Sequence, residues 1–348
     1  MAEQLISLND FWKLRKQIPL IDARSEGEFA QSQIPGSFNL PILTNEERVK
    51  VGTLYKEKGA LEATLKGFEL VGPRFHQIQK EALDRFPGRK AIVYCWRGGM
   101  RSQILSWLLL MVGFEIFRLK GGYKTYRTYT FEKVRETYPL LVLGGKTGTG
   151  KTVLLKKLKE SGEQVIDLEG LAHHKGSSFG SIGQLPQPSV EQFENLLAEE
   201  LRITDSSIPI WVENESRKIG RVIIPDRFYE QMINSPLLEI HKTENERIEH
   251  IAEEYGQLSE SELIAAVKRL QKRLGGLRTQ QAILDIQVKN HSSWISNLLV
   301  YYDKTYDFDL HRHEASKTVH MDLSGLPVGN QVQLLLNTKN KFYGIPTN

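Results

Sequence analysis

One cysteine stands among 348 residues. A lone thiol rules out any intrachain disulfide and leaves no internal thiol to resolve one, which fits a reducing compartment. Excess charge is also scarce. Lysine and arginine number 46 against 42 acidic residues, a formal net charge of only +4. The chain is no general polycation, and a polyanionic partner would need a local basic surface. Long hydrophobic runs are missing too. The longest, near Leu105 to Val112, is far too short to cross a bilayer, so no membrane span is expected. The opening Met1-Ala2-Glu3-Gln4 has neither the basic nor the apolar part of a secretory signal, and a cytoplasmic location is expected. No internal repeat or low-complexity tract is apparent. What remains is globular, 40% hydrophobic and 25% charged, and long enough for two domains that each bury a core.

The cysteine lies in Tyr94-Cys95-Trp96-Arg97-Gly98-Gly99-Met100-Arg101-Ser102. The run Ala91 to Tyr94 before it reads as a buried parallel strand, and Gln103 to Leu110 after it as a helix. Turn N–H groups, the helix N-terminus, Arg97 and Arg101 would all stabilise a thiolate there. Further strands are expected at Pro19 to Arg24 and Phe114 to Leu119, with helical starts at Ser7 and Glu26. Gln33 to Pro41 reads as loop. Strands alternating with helices imply a parallel sheet covered on both faces, with ligands beyond the carboxyl ends of its strands.

Residues 10 to 130 resemble a rhodanese homology domain. The likeness is carried by Asp22-Ala23-Arg24, Glu28-Phe29, Ile34-Pro35-Gly36-Ser37-Phe38-Asn39, the cysteine loop and Leu119-Lys120-Gly121-Gly122-Tyr123. The resemblance implies that the loop cysteine carries sulfur or selenium while loop N–H groups cradle the anion. Cys95 and Arg101 also fit the cysteine phosphatase spacing C-x5-R, in which the arginine forks a phosphate. The spacing does not separate these chemistries. Tyr94, where phosphatases commonly have histidine, and the flanking rhodanese features favour the first.

Phe131 to Pro139 is polar and ends in proline, so it is read as a linker between a first domain over 1–130 and a second over 140–348. Leu140 to Leu143 reads as a strand, followed by Gly145-Lys146-Thr147-Gly148-Thr149-Gly150-Lys151-Thr152 and a helix from Val153. The loop fits G-x-x-x-x-G-K-[ST] in the strand–loop–helix context that motif needs. Its N–H groups would surround a diphosphate and Lys151 would neutralise it. Thr152, with Asp167 or Glu213, is the candidate set for a magnesium ion. Those acids end strands read at Val165 to Glu169 and Ile208 to Glu215. The fold class expected is α/β: a rhodanese-like parallel-sheet domain followed by a P-loop NTPase-like α/β domain with helical additions.

The loop His173 to Gly180 offers His173, His174 and Lys175 for anion or nucleic-acid contact. Adjacent histidines share no helix face, and a metal there is not expected. Arg217, Lys218 and Arg221 form one basic loop. Ser259 and Glu262 form a capping box opening a helix with Leu263, Val267, Leu270 and Leu274 on one face. Lys268, Arg269, Lys272 and Arg273 fall on the rest of its surface, within a helical, basic segment near 238–300. Tyr301 to Asn348 shows no legible chemistry.

The two domains together, with Asp167 to Gly180, resemble the tRNA 2-selenouridine synthase family over nearly the whole chain. The resemblance implies that selenium from selenophosphate replaces the 2-thio sulfur of wobble 2-thiouridine in tRNA, through an S-geranylated intermediate made from geranyl diphosphate. It further implies tRNA as partner, an enzyme supplying selenophosphate, and no tightly bound cofactor. Cys95 would handle selenium, as a covalent carrier or as a thiolate beside selenophosphate, with Arg97 and Arg101 on the oxyanions. The alternative is a rhodanese-type sulfurtransferase coupled to an ATP-using kinase or NTPase, which the phosphate loop permits.

Overall fold

The computed structural model describes residues 3–177, 179–255, 258–310 and 312–344. The chain divides into two units: Met1–Lys133 with Glu194–Leu196, and Val134–Phe193 with Leu197–Asn348.

The first unit holds a five-stranded sheet of β1 (Gln4–Ile6), β2 (Leu20–Asp22), β3 (Ser37–Asn39), β4 (Lys90–Tyr94) and β5 (Glu115–Leu119), in the order β1-β5-β4-β2-β3. Every pairing is parallel. Its helices are α1 (Leu8–Leu14), α2 (Glu26–Gln31), α3 (Asn45–Lys58), α4 (Ala60–Val71), α5 (Phe75–Arg85), α6 (Met100–Met111) and α7 (Gly122–Lys133). The starts are set by side chains. Ser7 accepts from the Asp10 amide, and Ser25 with Glu28 and Thr44 with Glu47 close capping boxes. Alternation along β4 sends Ala91 and Val93 into one core layer and Ile92 and Tyr94 into the other.

The second unit is built on β6 (Leu140–Gly145), α8 (Lys151–Glu160), β7 (Gln164–Ile166), α9 (Leu168–Ala172), α10 (Val190–Ile203) and β8 (Ile210–Glu213). A small hairpin, β9 (Lys218–Ile219) and β10 (Val222–Ile223), precedes α11 (Asp226–Asn234) and β11 (Leu237–His241). Five helices follow: α12 (Glu244–Tyr255), α13 (Glu260–Arg269), α14 (Gln271–Leu274), α15 (Gly276–Gln287) and α16 (His291–Leu310). The chain then returns through β12 (Thr318–Asp322) to α17 (Val328–Tyr343). The sheet order is β12-β11-β6-β8-β7, again all parallel. Among the described residues no helix is long and apolar enough to cross a membrane.

Several local expectations change. Ser37–Asn39, read as loop, is an edge strand. It is very short, and the Asn39 amide holds it to the carbonyls of Asp22 and Arg24. The strand read at Val165 to Glu169 stops at Ile166, because the Asp167 carboxylate accepts from the Gly170 amide and starts α9. The segment near 238–300 is helical only from Glu244, since Leu237–His241 is a buried strand beside β6. Its basic surface gathers on α13 and α14, with Arg278 exposed on α15, while α12 is rich in glutamate. The Ser259 capping box is present, but the helix it opens breaks at Leu270. Leu263, Val267, Leu270 and Leu274 are nonetheless all buried in one cluster. Along 131–139, α7 continues to Lys133, and Val134 and Tyr138 are buried in the second unit's core. The tail, in which no chemistry was legible, supplies a strand and a helix to the second unit.

Candidate functional site: a thiol loop and a phosphate loop

In the first unit β4 delivers Cys95 to the turn before α6. The alternation that buries Val93 also turns Cys95 toward the core, and the residue is only 3% exposed. This departs from the accessible thiolate expected of a glycine- and arginine-rich loop. Its Sγ lies 3.2 Å from the Ser102 hydroxyl and 3.8 Å from the Gly99 carbonyl. Trp96 and Arg97 are exposed at the mouth of the turn. The loop is clamped from the other side by α7: the amides of Tyr123 and Lys124 donate to the carbonyls of Cys95 and Trp96. Gly122 makes that clamp possible. Its φ is +59°, and a Cβ there would lie 2.1 Å from the Cys95 carbonyl oxygen.

The family-like sequence blocks converge beneath this loop. Arg24 is buried, donates to both oxygens of Asp22 and stacks over Tyr123 at 4.1 Å. Arg101 leaves the first turn of α6 and pairs with Glu28, which also meets Arg48. Burial would raise the Glu28 acid, but the hydrogen bond and charge of Arg101 outweigh it and hold that carboxyl below its usual range. Beside Met100 and Arg101 opens a cavity of about 430 Å³ lined mainly by apolar groups, including Val51, Ala63, Phe68, Val71 and Ile104.

In the second unit β6 runs into the phosphate loop. Gly148 has φ +85°, and a Cβ there would meet the Arg247 carbonyl at 2.8 Å, so only glycine fits. Lys151 folds its ammonium onto the Gly145 carbonyl at 2.8 Å. Thr149 bonds back to the Lys146 carbonyl. Thr152 Oγ1 donates to Glu213 Oε1 at 3.1 Å, while Asp167, the other acid considered, caps α9.

Arg247, Asp303 and Asp307 were not legible in sequence, and Glu169 and Glu215 stood there only as acids at the ends of the two strands. Glu169 and Glu215 gather with Glu213 so that one oxygen of each lies within 4.8 Å of the others. Burial first, then the neighbouring Glu215 charge, pushes Glu169 up to about 9. Burial, Glu169 and Asp167 raise Glu213 in the same direction. Arg247 donates from Nε to the Thr147 carbonyl and grips Asp303 with both terminal nitrogens. Asp303 and Asp307, from the tail, both approach Lys146. A glutamate ending a strand or an aspartate on a long helix carries no spacing signal. Only sheet order and helix packing bring them to the loop.

The other predicted contacts are scattered. His173 has φ +50° and bonds the Pro186 carbonyl. His174 is half-buried, with its Nδ1 lacking a hydrogen-bond partner, and burial lowers its pKa. Lys175 is paired with Glu254. Gly176 passes close over Glu169 and Glu215, so this loop covers the carboxylates. Ser178 lies outside the described residues. Arg217 pairs with Asp226, and with Lys218 and Arg221 it is exposed around the small hairpin. Lys268, Arg269, Lys272 and Arg273 are exposed on α13 and α14.

A thiol loop on one parallel sheet and a phosphate loop on a second define a rhodanese-like domain joined to a P-loop domain. The family profile described as rhodanese-like domain matches residues 7–128, and that described as tRNA 2-selenouridine synthase AAA domain matches residues 138–325. The tRNA 2-selenouridine synthase of a Sulfurovum species is 38% identical, with 89% of this chain and 94% of the relative covered. That of Nitrosomonas eutropha is 33% identical over 86% and 90%, and that of Shewanella halifaxensis 38% over 84% and 88%. The chain belongs to the tRNA 2-selenouridine synthase family.

Proposed function

We propose that this protein replaces the 2-thio sulfur of wobble 2-thiouridine in tRNA with selenium, in two displacements. The observation that supports the reading is a strand–loop–helix turn on each unit, one carrying Lys151 and Thr152 and the other the chain's single thiol. In the first displacement the thiocarbonyl sulfur takes C1 of geranyl diphosphate, the C1–O bond breaks and pyrophosphate leaves. Lys151 and the loop amides stabilise the charge that develops on that diphosphate. Thr152 with Glu213, Glu169 and Glu215 fits a magnesium ion, since Glu213 Oε2 is buried without a hydrogen bond; a bound ion would neutralise further diphosphate charge.

S-alkylation matters because geranylthiol leaves as a neutral thiol, whereas a thiocarbonyl sulfur is a poor leaving group. In the second displacement selenium of selenophosphate bonds to C2 and geranylthiol departs. Water then cleaves the Se–P bond to give phosphate and the selenouridine. Cys95 acts here as a thiol beside selenophosphate. A perselenide carrier would need an oxidant, because selenium arrives already reduced. Arg97 meets the oxyanions, and Arg101 joins it by exchanging Glu28 for the anion. The apolar cavity beside Met100 and Arg101 is of a size that suits a small ligand, and it takes the geranyl chain of the intermediate. Arg217, Lys218, Arg221, Lys268, Arg269, Lys272 and Arg273 steer the tRNA backbone. Selenophosphate comes from a separate supplying enzyme.

Because Cys95 is buried, the Trp96–Gly99 turn must open for this step. Alkylation of the sole thiol by iodoacetamide reads that opening without ambiguity. Lys151→Ala should abolish S-geranylation of thiolated tRNA, and Cys95→Ala should leave geranylation intact while selenium incorporation stops. Wild-type geranylation by the first variant, or selenium incorporation by the second, overturns the assignment of that residue.

A further inference from the structure

The parallel edge pair of the second sheet carries a cluster with no part in the reactions above. Register places Glu239 of β11 opposite His320 of β12. Glu239 and His241, two residues apart on one strand, point to the same face. Nε2 of His241 and Nδ1 of His320 face each other at 3.4 Å. Glu239 Oε2 lies 2.7 Å from that Nδ1 and 3.7 Å from that Nε2. The Glu239 side chain is 2% exposed, while the two imidazoles are 43% and 63% exposed. The cluster therefore has a buried floor and an open mouth.

A proton shared between the imidazoles does not account for this arrangement. It satisfies the nitrogen pair and leaves the carboxylate. Despite the short approach to His320, Glu239 Oε2 is buried and has no aligned hydrogen-bond donor. An oxygen in that state carries a desolvation penalty. A cation at the centre of the three atoms satisfies all of them at once. Bonds of about 2.0–2.1 Å to zinc set ligand atoms roughly 2.9 Å apart at a right angle and roughly 3.3 Å apart at the tetrahedral angle. The observed edges of 2.7, 3.4 and 3.7 Å bracket those values.

We propose that Glu239, His241 and His320 form a three-ligand site for a borderline transition-metal dication, zinc in the first instance, with a fourth position open to solvent. Two imidazoles and one carboxylate select such a metal over magnesium, which prefers an all-oxygen shell. The site is thereby separate from the all-carboxylate cluster at Thr152. The metal bridges β12 to β11, and β11 pairs Glu239 with Gly144 at the root of the phosphate loop. The strand contributed by the tail is thus tied to the strand that positions the diphosphate cradle.

The test uses the full-length protein stripped with chelator and dialysed, with excess magnesium present to hold the carboxylate cluster. Zinc is titrated by calorimetry, and cobalt by its visible absorption. One zinc per chain is expected, with a cobalt spectrum of mixed nitrogen and oxygen ligation and a zinc-dependent rise in Tm. His320→Ala and His241→Ala should each weaken zinc binding by at least about 100-fold and remove the Tm rise. His320 is largely exposed, so the metal-free His320→Ala protein should unfold at the same urea concentration as the metal-free wild type. Absence of stoichiometric zinc binding, or equal affinity in His320→Ala, overturns the proposal.

Discussion

Gly122→Ala is the most informative perturbation of the thiol loop, because it acts on Cys95 from a residue far along the chain. Gly122 has φ +59°, and its missing Cβ would lie 2.1 Å from the Cys95 carbonyl oxygen and 2.5 Å from the Gly98 amide nitrogen. Both atoms are backbone, so neither can swing aside as a flexible side chain would. A left-handed conformation costs an L-residue about 1–2 kcal/mol. Forcing extra volume into a packed site costs about 1–3 kcal/mol more. The sum of about 2–5 kcal/mol is a large share of the 5–15 kcal/mol typical of a folded protein. Relief requires α7 to move off the loop, which breaks the Tyr123 amide bond to the Cys95 carbonyl. Urea unfolding followed by tryptophan fluorescence should show a markedly lower midpoint, and selenium incorporation should fall at least tenfold. Geranylation, which the proposed function assigns to the other unit, should persist. Gly99→Ala is the control, with φ −92° and nothing within 4 Å of its added Cβ; its midpoint should not move. Equal midpoints for the two variants would refute the reasoning.

Other outcomes follow from the second unit. Arg247→Met removes a buried guanidinium that holds both Asp303 and the Thr147 carbonyl. It should cost about 3–5 kcal/mol and raise the KM for geranyl diphosphate, and an unchanged KM would release Arg247 from the loop. Glu169 is pushed up to about 9 in the folded state. Its protonated form is therefore favoured by folding, and stability should fall as pH rises from the ordinary glutamate value toward 9. Urea midpoints across that range should slope less in Glu169→Gln, and an identical slope would remove Glu169 as the cause. Replacing Lys268, Arg269, Lys272 and Arg273 together by alanine should weaken tRNA binding. It should also flatten the dependence of log K on log salt by about 3, if each meets one phosphate; an unchanged slope moves the docking surface elsewhere.

The strands on either side of each loop were readable because both sheets are parallel and buried on both faces, so each central strand appears as an unbroken apolar run. The phosphate loop was readable because its chemistry is backbone chemistry at fixed spacing. Short edge strands such as Ser37–Asn39 carry no such run. The position of Cys95 was only half legible: its loop is visible in sequence, but its burial follows from the alternation of β4 between two core layers. Asp303 and Arg247 had no local signature at all, and Glu169 and Glu215 showed only as acids at strand ends.

Local sequence by itself determined where one thiol and one P-loop stand along the chain, since glycine conformation and strand hydrophobicity are properties of neighbouring residues. Tertiary structure alone decided which charges surround them. Sheet order sets β11 and β8 beside β6, and helix packing brings the tail's aspartates to Lys146. Electrostatics depends on distance in space, and that distance is set by packing between elements remote in the chain.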